Sequence, residues 1–221
     1  MKNSLLFIIA IFTSLSCHAQ HKDVKIGDIL TINGVKGIVF NVNEDGTHGQ
    51  IMSVKAFRAK KDLFCSKSSY LKNLSMTSET DGKQNTQELS AFCAANNIPL
   101  ANFPVFNWCK SLGDGWYIPS ILQLKSFVNY WLGNFEVAVS WEEDEEDVVI
   151  DDSVPHTKIV NTALLEAGGI PFLNGVFSST LDNKHKVDVF EYNKEDGKWK
   201  FKKVNPMKID KFCVGRAFYD F

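Results

Sequence analysis

The chain has 221 residues and a mass of 24.9 kDa, is 44% hydrophobic and 23% charged, and carries 24 Lys+Arg against 26 Asp+Glu. That composition excludes a disordered tail, a collagen, a coiled coil and a disulfide-dense miniprotein. A net charge of -2 supplies no reason to expect nucleic acid or an anionic membrane as a partner.

The first segment reads as an export signal. Lys2 precedes the apolar run Leu5 to Phe12, which is too short for the roughly 20 apolar residues of a membrane span. Cys17-His18-Ala19 then places small residues where a signal peptidase reads, so residues 1–19 are expected to be removed before Gln20. Two alternatives stand beside this reading. Lipidation at Cys17 would anchor the protein to a membrane, although Ser14 occupies the position usually taken by Leu. A buried N-terminal helix is the other. On the main reading the protein is periplasmic, on the cell surface or secreted, and residues 20–221 form one domain.

From Ile26 to Val54 the pattern is of strands and turns: Asn33-Gly34 predicts a tight hairpin, and the turn-rich stretch before His48 predicts a second. Residues 66–85 are rich in Ser, Thr, Asn and Lys and read as a surface loop. Asn85 and Glu88 suggest a capping box that opens a helix through Leu89, Phe92 and Cys93. A second helix is expected from about Pro104 to Gly113. A third begins at the capping box Ser120 to Gln123, with Leu124, Phe127, Val128 and Trp131 on one face. Residues 142–152 (EEDEEDVVIDD) hold 8 carboxylates in 11 positions and read as a solvated acidic loop. Without that run and Lys2, 23 basic and 18 acidic residues remain, a body of +5. A further helix is expected at about 157–167, then strands at 187–192, 198–204 and 212–218. The order strands, helices, strands argues for an α+β domain of mixed or antiparallel hairpins with two to four inserted helices.

Candidate chemistry is sparse. Neither a phosphate-cradling glycine loop nor a GxSxG or HExxH motif occurs, so no cofactor, metal or catalytic set is expected. Cys109 with a distant histidine can be drawn as a nucleophile pair. Four cysteines remain after the signal, Cys65, Cys93, Cys109 and Cys213, and an even count in an exported chain suggests two disulfides. Buried thiols are the alternative. Lys198, Lys200 and Lys202 share one face of a predicted strand, with Trp199 and Phe201 on the other. That lysine face is the candidate ligand-binding site, for a sulfated glycan or another polyanion. Lysines that protect a sheet edge explain the same pattern.

Trp108-Cys109, Leu112-Gly113, Gly115-Trp116, Ile118-Pro119-Ser120 and Leu124 together resemble a WC-x-x-LG-x-GW-x-LPS-x-x-EL signature. Gly175-Val176-Phe177-Ser178-Ser179-Thr180 and Val214-Gly215-Arg216-Ala217-Phe218 resemble two later segments of the same pattern, and Gly27 to Ser53 its entry hairpins. The family concerned is a bacterial exported domain family, named after the C-terminal domain of a collagen-like adhesin. The resemblance spans about residues 26–218. It implies a C-type-lectin-like fold, shared with formylglycine-generating enzymes, and a recognition or adhesion role rather than an enzymatic one. By analogy with lectin-like domains it also implies disulfides Cys109–Cys213 and Cys65–Cys93. Gln123 replaces the signature Glu, and the sulfatase-activating cysteine pattern and the lectin calcium motifs are absent. A glycan or other cell-surface polymer is the partner this implies. An enzyme of unknown reaction on the same scaffold and a structural subunit of a surface assembly are the competing expectations.

Overall fold

The structure is a computed structural model and describes residues 24–59, 63–133, 147–148, 155–172, 175–193, 198–209 and 213–221. The predicted export signal and most of the acidic run lie outside these residues. The first hairpin pairs β1 (Ile29–Ile32) with β2 (Val35–Val42). Its turn requires positive φ at both central residues, and Asn33 (50°) and Gly34 (80°) supply it. β2 continues antiparallel to β3 (Gly49–Ser53).

The next stretch departs from the surface-loop reading. Leu71, Leu74 and Met76 are all buried, so it is a core-covering connection spaced by polar residues. α1 (Gly82–Ala95) is capped by Asp81, whose carboxylate accepts from the Gln84 N–H, not by Asn85. Asn85 is buried one turn inside. Its amide donates to the Ser78 carbonyl and the Ser179 hydroxyl and accepts from the Ser78 N–H. α2 (Pro104–Ser111) starts at its proline, and α3 (Ile121–Leu132) starts at the expected capping box and ends at Gly133 with φ 74°. β4 (Asp147–Val148) and α4 (Pro155–Glu166) follow, then β5 (Val176–Leu181), β6 (Val187–Asn193), β7 (Lys198–Val204) and β8 (Phe218–Asp220).

These strands make two antiparallel four-stranded sheets, in the orders β1-β2-β3-β8 and β4-β7-β6-β5. The architecture is α+β. Core packs against both faces of each sheet. Along β2, Val39 joins one buried cluster with Phe64, Leu89, Phe103 and Phe106, while Ile38 and Phe40 join a second with Phe127, Trp131 and Phe172. Alternate strand residues point to opposite faces, so one strand feeds both cores. In the second sheet Val187 and Val189 face the first cluster and Phe190 the second. Bridges Phe57–Gly215, Tyr117–Phe218 and Val176–Val214 tie the closing segment to the rest.

Candidate functional site

One lysine of the predicted strand is buried. Lys200 is 7% exposed. Its register partners are Glu191 on β6 and Asp147 on β4, so β7 has a neighbour on each side there and is not an edge at that point. The Lys200 and Lys202 face is also the Val187, Val189 and Glu191 face, which turns toward the first core cluster. Lys202 forms an ion pair with Glu191. Phe201, on the opposite face, packs on Phe190 at 4.7 Å, and Lys125 Nζ lies 5.4 Å from the Phe201 ring. Lys198 pairs by register with Asn193. Lys200 and Lys202 thus share a strand face as expected, but Lys200 is buried and Lys202, though 41% exposed, is engaged by the Glu191 carboxylate; the Lys198 side chain lies outside the described residues. Asp188, opposite Lys203 on the other face, has its carboxyl raised above the ordinary 3.8 by burial, which outweighs attraction to Lys203 and Lys125.

The expected disulfides are corrected. Cys65, Cys93, Cys109 and Cys213 are buried thiols, and no bond joins Cys109 to Cys213 or Cys65 to Cys93. Two of the thiols are held in separate surroundings. Cys65 Sγ donates to the Lys67 carbonyl (3.1 Å), and Cys213 Sγ lies 3.8 Å from a Glu191 carboxylate oxygen. Burial pushes the Cys109 thiol far above its usual range, which disfavours a nucleophilic thiolate.

The signature residues go into the scaffold. Ser179 Oγ donates to the Pro119 carbonyl (3.0 Å), and its backbone N–H donates to the same oxygen (2.6 Å). Thr180 Oγ1 donates to the Ser78 carbonyl and accepts from the Ile121 N–H. Together these bonds fasten β5 to the start of α3 and to the connection before α1. Arg216 is 1% exposed, and its guanidinium donates to the carbonyls of Ser53, Val54 and Ile170 at 2.8–3.1 Å. Burial lowers its pKa and the nearby Arg58 adds to that. Tyr117 Oη donates to Asp220 (2.5 Å) and accepts from the Gln50 and Gln123 amides, which joins the pre-α3 turn to the last strand.

A second candidate emerges only in three dimensions. A cleft of about 360 Å³ opens between α1, α2 and the Gly113–Tyr117 loop. From α1 it takes Lys83, Thr86, Gln87 and Ser90, the i, i+3, i+4, i+7 stripe, while Leu89 and Cys93 turn into the core. From α2 it takes Phe106 and Lys110, one turn apart. Trp116 forms part of the wall. It is 4% exposed, its ring lies 5.4 Å from that of Tyr219, and its indole N–H is buried without a hydrogen-bond partner. The loop depends on Gly115, at φ 90°, where an added Cβ would sit 2.5 Å from Tyr219 Cε2. In the sequence the helix stripe looks like any solvated face, and nothing before folding brings α1 and α2 together.

Among the described residues no three His, Cys, Asp or Glu side chains converge as a metal site, and no helix is long and apolar enough to cross a membrane. No family model and no curated protein sequence matches the chain. Among solved structures, it is similar to a fimbrial protein from Bacteroides ovatus ATCC 8483, with 13% identity and a TM-score of 0.48 over 89% of this chain and 48% of that one. The chain therefore spans about half the length of that structure. At that level the likeness is coarse, and the functional reading rests on the residues themselves.

Proposed function

We propose that this protein is an exported, non-enzymatic recognition or adhesion domain that holds a glycan or other cell-surface polymer, on a scaffold related to the C-type-lectin-like domains. The cleft between α1 and α2 is the observation that carries this reading. It combines aromatic wall, amide, hydroxyl and ammonium groups, the mixture that a sugar's apolar ring faces and hydroxyls require. Export rests on the Lys2 to Ala19 pattern. The test is cell fractionation with intact-mass analysis of the mature chain, followed by retention of that chain on whole cells and isolated surface polysaccharide. A mature N-terminus at Gln20 with retention on polymer is expected. A full-length cytoplasmic protein that ignores every surface polymer would end the proposal.

One observation favours a second reading, a subunit of a surface assembly built from copies of this chain. β1 stands at the end of its sheet with the uncharged sequence Ile29-Leu30-Thr31-Ile32, and Ile26 and Ile29 are 41% and 37% exposed. Concentration-dependent sizing that Ile29→Lys abolishes would support it, and a monomer at all concentrations would remove it.

A further inference from the structure

The cleft combines charged and neutral polar groups. The Lys83 and Lys110 ammoniums come from different helices, Gln87 adds an amide, the Ser90 hydroxyl, which donates to the Thr86 carbonyl (3.0 Å), is left as an acceptor, and Asp114 is the one carboxylate among the lining residues. Two ammonium groups against one carboxylate leave the rim net positive, and neither lysine has an ion-pair partner among the described residues. The floor behind them is Phe106 and Trp116, 1% and 4% exposed, so each offers only a narrow apolar edge to the cleft. A volume of about 360 Å³ is at the small end for ligand clefts, so it suits a short saccharide unit rather than a length of polymer.

We infer that the cleft binds a carboxylated sugar, with the carboxylate held between Lys83 and Lys110, the ring hydroxyls on Gln87 and Ser90, and the apolar ring edge against Phe106 and Trp116. This rests on the recognition reading above and names its ligand class. A bare anion would use the two lysines and leave the amide, hydroxyl and aromatic wall idle. A neutral sugar would use the wall and leave the positive rim idle. A uronate uses both.

Calorimetric titration of the mature full chain with a galacturonic acid trimer, its methyl ester, a neutral glucose trimer and inorganic sulfate tests the assignment. The acidic trimer is expected to bind and to weaken as salt rises. Esterification should weaken it about tenfold, and Lys83→Gln or Lys110→Gln about fivefold each, as expected for exposed charge pairs. Both lysines are exposed, so the variants are expected to melt like the parent. Equal affinity for acid and ester would overturn the inference, as would sulfate competing as well as the trimer. So would full affinity in the double lysine variant. Binding of the neutral trimer alone, lost in Gln87→Ala, would overturn the carboxylate assignment and leave the recognition reading standing. A chain that binds no saccharide and no surface polymer would remove both.

Discussion

Two groups of lysines divide this molecule. Lys198, Lys200 and Lys202 lie on a strand, alternate as a patterned face should, and stand out in the sequence. Lys83 and Lys110 lie on separate helices 27 positions apart and form no motif. In the fold their prominence is reversed. Lys200 and Lys202 turn toward the first core cluster, Lys202 pairing with Glu191, whereas Lys83 and Lys110 rim an open cleft beside Trp116. Period-2 alternation shows which residues share a face, but not what that face meets, because a sheet covered on both sides buries both.

Charge reversal separates the surroundings of the two lysine groups most strongly. Lys200→Glu would place a buried carboxylate at register positions facing Glu191 and Asp147. A loss of about 3 kcal/mol in urea unfolding is expected, against less than about 0.5 kcal/mol for the exposed Lys83→Glu. Equal losses would mean that the strand face is as solvated as the helix rim. The cleft loop comes next. Gly115→Ala combines a positive φ with a Cβ pressed onto Tyr219, and a loss of about 2–3 kcal/mol is expected by the same measurement. A neutral result would show that the loop holding Trp116 is not fixed by that contact.

Tyr117→Phe removes a donor to Asp220 and an acceptor for two glutamines, at a cost of about 1–2 kcal/mol. If its melting matched the parent, the joint between the cleft loop and β8 would lie elsewhere. The smallest effect belongs to Asp188. Burial holds its carboxyl above 3.8, so the folded chain keeps a proton that the unfolded chain releases. Its contribution is present at acid pH and is lost as pH rises through the folded pKa. Asp188→Asn is therefore expected to raise stability at neutral pH and to flatten the pH profile from 3.8 upward. A steeper profile in denaturant melts would show that the Lys203 attraction outweighs burial.

Local chemistry was legible wherever neighbours in sequence decide it. The Asn33-Gly34 turn, the Pro104 helix start and the Ser120–Gln123 box with its Gly133 stop form through contacts within a few residues. Asn85 shows where that reasoning stops. It has the residue type of a cap, yet its amide is used by Ser78 and by Ser179, 94 positions away, and Asp81 takes the cap instead. The connection at 66–85 misleads in the same way, because its polar residues outnumber the few apolar ones that seat it in the core.

Folding explains the residue types in the segments that prompted the resemblance. Ser179, Thr180, Ser120 and Arg216 satisfy buried backbone groups where the second sheet, α3 and the closing segment meet. Cysteine parity carried no geometry. Cys65 and Cys213 find hydrogen-bond acceptors where the resemblance implied bridges.

The Asn33-Gly34 turn, the starts of α2 and α3 and the Gly133 stop could be read from the sequence, because each follows from residues close enough to interact before the chain collapses. Folding decided that Lys200 is buried between two strands and that a stripe on α1 faces the end of α2 across a cleft. Both depend on which surfaces pack together, and that is set by burying two core clusters at once rather than by any local run of residues.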